Sequence, residues 1–129
     1  MNREWRSFLQ DRNARFEGET FLSFADARRE AEAAANATVL AALSDHTLLR
    51  VHGADAQSFL NSQLSNDVRH VDVAHSQLAA WCNAKGRIIT LVRTFKRDDD
   101  YYLLLPADLR ETVRERLQRY VLRAKVTLE

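Results

Sequence analysis

The sequence has one cysteine, one proline and three glycines among 129 residues. The lone Cys82 excludes an internal disulfide, and no set of Cys and His has the spacing of a zinc site. A reducing, cytoplasmic setting is the simplest fit. No apolar run approaches the length of a membrane span. The Met1–Trp5 start lacks the basic-then-apolar layout of a secretory signal. Excess charge of one sign is also missing. Nineteen basic against 18 acidic residues leave a net charge of +1, which argues against a dedicated nucleic-acid module. What is present is 46% hydrophobic and 29% charged residues, the balance of a globular chain long enough for one modest core.

Residues 1–37 read as an N-terminal extension, charged and rich in alanine. Trp5, Phe8, Leu9, Arg12 and Phe16 recur at helical spacing, which predicts an amphipathic helix over residues 3–15. Phe21–Phe24 predicts a short strand. Asp26–Ala35 predicts a helix with Asp26 near its start. An organised domain is expected over 38–129. Thr47–Val51 predicts a strand, stopped by Gly53, and residues 54–64 a helix with Phe59, Leu60 and Leu64 on its buried face. Asp55 falls in the first turn, where a carboxylate favours the helix dipole. Three strands follow, over 76–82, 87–95 and 101–105. The first two are joined by a tight turn with Gly86 at positive φ, the last two by Asp98–Asp100. The 101–105 strand is apolar on both faces, hence central. Pro106 suits the start of a helix over 107–121 with the stripe Leu109, Val113, Leu117, Tyr120 and Val121. A last strand is expected over 123–128. The sum is an α+β fold: a mainly antiparallel sheet with two helices on one face, ferredoxin-like or related. The strand character of Lys125–Glu129 reads as a fragment of a longer multidomain protein.

Few residues carry chemistry. Asn83, Lys85 and Arg87 flank a hairpin turn, where rigid strands can present polar groups to a ligand. Lys85 is a point charge and Arg87 a planar fork suited to carboxylates. Ordinary hairpin chemistry explains the same residues. Gln63, Ser65, Asn66 and Asp67 end the first helix of the domain, and capping accounts best for Asp67. Cys82 sits beside Lys85, which favours a reactive thiol, although a strand-end cysteine also serves as a small apolar residue. His46, His52, His70 and His75 fall on separate elements with no metal-binding spacing. Arg110, Arg114, Arg116, Arg119 and Arg123 alternate with Glu111 and Glu115 on the last helix, the pattern of a solvated face.

Two segments resemble the N-terminal domain of YgfZ-type folate-binding proteins, relatives of the glycine-cleavage T-protein, an aminomethyltransferase. They are Gly53-Ala-Asp55-Ala-Gln-Ser-Phe59-Leu60-Asn-Ser-Gln63-Leu64-Ser65-Asn66-Asp67-Val68 and Cys82-Asn83-Ala-Lys85-Gly86-Arg87. The resemblance covers about residues 38–128. It implies tetrahydrofolate or another reduced folate as ligand of the full-length protein, with Asn83, Lys85, Arg87, Asn66, Gln63 and His46 near the site. His46 falls where some members carry a pterin-stacking Trp. The implied role is support of iron–sulfur cluster assembly or repair and of tRNA modification, with iron–sulfur proteins as partners, no direct nucleic-acid contact and no membrane. Transferases of the superfamily carry an Asp-Asp pair a few residues beyond the hairpin glycine. Here that stretch is Gly86-Arg-Ile-Ile-Thr90-Leu91, so no catalytic residue is assigned and the non-transferase branch is favoured. A Lys-Gly-Cys-Tyr-x-Gly-Gln-Glu-type motif, diagnostic of the family, is absent. The alternatives are a tetrahydrofolate-dependent aminomethyltransferase and an α+β interaction domain without a ligand.

Overall fold

The computed structural model describes residues 3–24, 26–39 and 41–129. The chain divides into two compact units, Met1–Asp45 and His46–Glu129. In the first unit, helix α1 (Arg3–Gln10) stops well short of the predicted residue 15. Asn13 takes a left-handed φ of 65°, which Asn tolerates better than most residues. The chain then forms a hairpin of β1 (Arg15–Glu17) and β2 (Thr20–Ser23) around Gly18. Phe16, which helical spacing assigns to α1, meets Phe21 edge-on at 5.8 Å across this hairpin. Helix α2 (Ala27–Asn36) is capped by the Asp26 carboxylate, which accepts from the Arg28 and Arg29 amides at 3.0 and 3.3 Å.

The second unit runs β3 (His46–His52), α3 (Ala56–Gln63), β4 (Gln77–Cys82), β5 (Ile88–Arg97), β6 (Asp100–Pro106), α4 (Arg110–Val121) and β7 (Thr127–Leu128). The five strands form one antiparallel sheet in the order β4-β5-β6-β3-β7. Leaving out β4, the order β5-β6-β3-β7 with α3 and α4 as connections is the ferredoxin-like β-α-β-β-α-β arrangement. Strand β4 is added at one edge. Strand β6 lies in the middle, as its two apolar faces require.

Alternation decides which face holds the core. Leu49 and Val51 of β3, Val92 of β5 and Leu103 and Leu105 of β6 are buried with Phe59 and Leu60 of α3 and Val113, Leu117 and Val121 of α4. Both helices therefore cover the same face of the sheet. The opposite face carries Leu48, Leu78 and Leu91, all exposed.

Three boundaries shift from the sequence expectation. The last helix opens with a 3-10 turn over Ala107–Leu109 before α4 proper. Pro106 closes β6 opposite His46 instead of starting a helix. Strand β7 is short because Leu122 adopts φ 47° and residues 123–126 turn toward Gly53.

Thr90 and Thr94 of β5 are polar residues on the core face, and they differ in how their hydroxyls are satisfied. Thr94 is fully buried, and its Oγ1 has no hydrogen-bond partner among the described residues. Removing an unsatisfied buried hydroxyl while keeping the side-chain shape recovers its desolvation cost. Thr94→Val is therefore expected to raise stability by about 1 kcal/mol in urea denaturation. A loss of that size would mean that the hydroxyl is bonded in solution.

Candidate functional site

The turn between β4 and β5 is built by its own polar groups. The Asn83 amide donates to the Arg87 carbonyl at 2.9 Å, and Gly86 N–H donates to the Asn83 carbonyl at 2.9 Å. The Asn83 Oδ1 accepts from the Lys85 and Arg87 amides at 2.9 and 3.0 Å. Gly86 takes φ 74°, which a side chain would resist. Lys85 and Arg87 are exposed, and neither side chain forms an ion pair among the described residues.

The end of α3 is tied to the outer edge of β4. Ser65 N–H donates to the Ala80 carbonyl at 3.0 Å, and its Oγ accepts from the Ala80 amide at 2.8 Å. The Asn66 Nδ2 donates to the Leu78 carbonyl at 2.7 Å, and Leu64 bridges Trp81. An open sheet edge carries unpaired backbone groups, and this segment satisfies several of them. Asn66 thus positions β4. Gln63 is half-buried, with its amide donating to Ser62 Oγ at 3.2 Å. Asp67 accepts from the side chain and amide of Arg69. These bonds hold its carboxyl at about 2, against an ordinary 3.8. Its contribution to holding this loop is complete above the ordinary value and fades as pH falls toward 2.

His46 lies elsewhere, at the start of β3, with β5 and β6 between its strand and β4. It stands opposite Pro106 on the face of the sheet away from the helices, with Leu48, Leu104, Arg93 and Leu78 in the adjacent row. An open recess of about 410 Å³ is lined there by His46, Leu78, Leu91, Arg93, Leu104 and Pro106. Of the two residues that the resemblance sets against the carboxylate pair expected in transferases, Thr90 is buried on the core face and Leu91 lines this recess. The floor is aliphatic, with an imidazole and a guanidinium on it. That suits a flat ring with a polar edge, and no carboxylate that could move a proton is among the described residues that line it.

A second recess of about 240 Å³ was not legible in the sequence. Trp81, Cys82, Asn83, Ile89, Arg116, Arg119 and Tyr120 line it. Tyr120, expected on the buried stripe of α4, is 53% exposed. Arg116 and Tyr120 share one side of α4 at four-residue spacing, which the register of the buried stripe could have revealed. Of the six residues singled out, Asn83, Lys85 and Arg87 share one turn, Gln63 and Asn66 sit at the end of α3, and His46 belongs to the other recess. No group of His, Cys, Asp and Glu that could hold a metal occurs among the described residues. No helix among them is long and apolar enough to cross a membrane.

The family model of the GCVT N-terminal domain matches residues 7–129. The tRNA-modifying protein YgfZ of Klebsiella pneumoniae (strain 342) is 33% identical over 89 residues, covering 69% of this chain and 27% of that protein. The protein of the same description from Enterobacter sp. (strain 638) is 30% identical over 89 residues, with 69% and 27% covered. An uncharacterized protein of Haemophilus influenzae is 31% identical over 88 residues, with 67% and 31% covered. The chain therefore spans less than a third of the length of the curated relatives it matches. Among solved structures, the glycine cleavage system aminomethyltransferase T from Bartonella henselae matches with a TM-score of 0.60 at 16% identity, covering 65% of this chain and 24% of that one. That likeness shows a shared fold.

Proposed function

This chain belongs to the GCVT N-terminal domain family, and on that footing we propose that it is the first part of a folate site in a protein of the non-transferase branch. The observation that carries the reading is the open sheet face, where His46 and Leu91 line one recess. A pterin ring stacks on the His46 imidazole over an aliphatic floor, and Lys85 and Arg87 on the neighbouring hairpin attract the carboxylates of a glutamyl tail. Asn83 and Asn66 hold the turn and strand in place, and Gln63 lies at the end of α3. The absence of a carboxylate at Leu91 disfavours one-carbon transfer, for which a group able to take a proton is needed. The similarity to proteins described as tRNA-modifying supports a role in tRNA modification, exerted through iron–sulfur cluster assembly or repair. The chain contributes ligand binding to that role, with iron–sulfur proteins as partners of the whole protein.

An open face covers one side of a ligand, whereas a tight site buries most of it. Calorimetry is expected to show tetrahydrofolate binding this chain at least about tenfold more weakly than a full-length relative, about 1.4 kcal/mol. Equal affinity would break the shared-site idea. In an NMR titration of this chain, tetrahydrofolate is expected to shift signals of His46, Leu91, Lys85 and Arg87. His46→Ala is expected to weaken binding about fivefold, the worth of one ring contact. Saturating tetrahydrofolate without shifts at these residues would reduce the chain to a ligand-free interaction domain. If Lys85→Ala leaves binding unchanged, Lys85 is only a solvated turn residue.

A further inference from the structure

We propose that the recess between the end of β4 and the second half of α4 is an anion site that takes one phosphate or carboxylate group on Arg116, Arg119 and the Asn83 amide. Nothing in this proposal requires a folate, and neither Lys85 nor Arg87 lines the recess.

Charge carries the first step. The basic residues of α4 divide into two sets. Arg110 and Arg114 both meet Glu111. Arg116 and Arg119 form no ion pair or hydrogen bond among the described residues, and no carboxylate lines the recess they share. Two uncompensated guanidiniums on one concavity repel each other, and an anion between them converts that repulsion into two attractions. A guanidinium also presents a planar fork that matches the oxygens of phosphate and carboxylate.

Asn83 supplies the second step. An amide group can be placed either way round, and its hydrogen bonds decide which. Here Oδ1 accepts from two backbone amides, those of Lys85 and Arg87. The Nδ2 group is thereby fixed as a donor, and it has no partner among the described residues. The turn thus prepays the orientation of a neutral donor beside two charged ones. This is the donor set of an anion site, and it comes from elements held by the core: Val113 and Leu117 anchor α4, and Trp81 anchors the end of β4. The volume of about 240 Å³ admits one anionic group with a few attached atoms, such as a terminal phosphate or the side-chain carboxylate of a glutamyl unit.

The test is a ¹⁵N NMR titration of the 129-residue chain with inorganic phosphate, with glutarate, and with sodium chloride at matched ionic strength. Saturable shifts of the Asn83 side-chain amide and of the Arg116 and Arg119 side chains are expected with phosphate or glutarate and not with chloride. The anion that saturates at lower concentration identifies the source as phosphate or carboxylate. Arg116→Gln with Arg119→Gln is expected to weaken binding about tenfold or more, the loss of charge-assisted bonds. The Lys pair R116K/R119K, which keeps charge and loses the fork, falls between. Lys85→Ala, which matters to the folate reading, leaves this titration unchanged, so the two readings fail separately. Cys82, a half-buried free thiol in the same recess, is alkylated more slowly by iodoacetamide when the site is filled. Linear shifts, equal response to chloride, or unaltered affinity in the Gln pair would overturn the site and leave only diffuse surface charge.

Discussion

Gly53→Ala is expected to destabilise the second unit by about 3–5 kcal/mol, from overpacking against backbone plus dihedral strain. Gly53 has φ 119°, a conformation that residues with a side chain rarely adopt. A Cβ there would lie 2.2 Å from the Lys125 carbonyl oxygen and 3.2 Å from the Val126 Cα. Both are backbone atoms and cannot swing aside as a side chain would. The segment is also anchored at that point. The Lys125 amide donates to the Asp55 carboxylate at 2.8 Å, and the Asp55 amide donates to the Lys125 carbonyl at 3.3 Å. Relieving the clash would break both bonds and pull β7 from β3, where Leu128 stands opposite Val51. Urea denaturation of the variant measures the cost, and hydrogen exchange at Asp55 and Lys125 shows where it is felt. A loss below about 1 kcal/mol, typical of a surface change, would mean that residues 124–126 do not rest on Gly53.

That contact marks a boundary of what a sequence can disclose. Gly53 reads as the end of a strand and Asp55 as a helix-dipole residue, both local statements. The structure gives Asp55 no side-chain cap and spends its carboxylate on an amide 70 positions away. Asn66 is similar: helix-end chemistry is visible in the sequence, but its bond to Leu78 across 12 positions is not. Such bonds have no periodicity to announce them.

Periodicity does expose which residues share a face, and here it is accurate for Phe59, Leu60 and Leu64 at α3, for the two apolar faces of β6 and for most of α4. The antiparallel sheet, the two covering helices and the central place of β6 follow from it. Tyr120 shows its limit. It lies next to Val121 at the margin of the stripe, and whether a marginal residue is covered depends on how far the neighbouring strand extends. Strand β4 ends at Cys82, so Tyr120 is left on the rim of a recess. The candidate site suffers most from this effect. The hairpin residues are conspicuous in sequence, whereas Arg116 and Arg119 look like any solvated helix face until β4 is set beside them.

Phe59→Ala is expected to cost about 3–5 kcal/mol, the usual penalty for truncating a buried aromatic. Phe59 is 5% exposed and belongs to the single core cluster of the second unit, with Leu60 beside it on α3. Helix α3 is short, Ala56–Gln63, so few other apolar side chains can hold it down. Its other tie to the sheet is polar: the Gln57 Nε2 donates to the Tyr101 hydroxyl at 2.8 Å, in a partly buried position. A hydrogen bond of this kind is worth about 1 kcal/mol net and cannot replace the lost ring. A domain of ordinary stability has about 5–15 kcal/mol in all, so the variant would sit near the unfolding threshold. Phe59→Leu, which keeps most of the volume, is expected to lose less than about 1.5 kcal/mol. If both variants lose equally, shape and not volume governs the site. If Phe59→Ala loses less than about 1 kcal/mol, the ring is not in the core. The consequence reaches the hairpin, because α3 leads directly into Leu64–Asn66, the segment that lines the edge of β4. Loosening α3 is therefore expected to raise hydrogen exchange at Ala80 and Ser65 before the sheet itself opens.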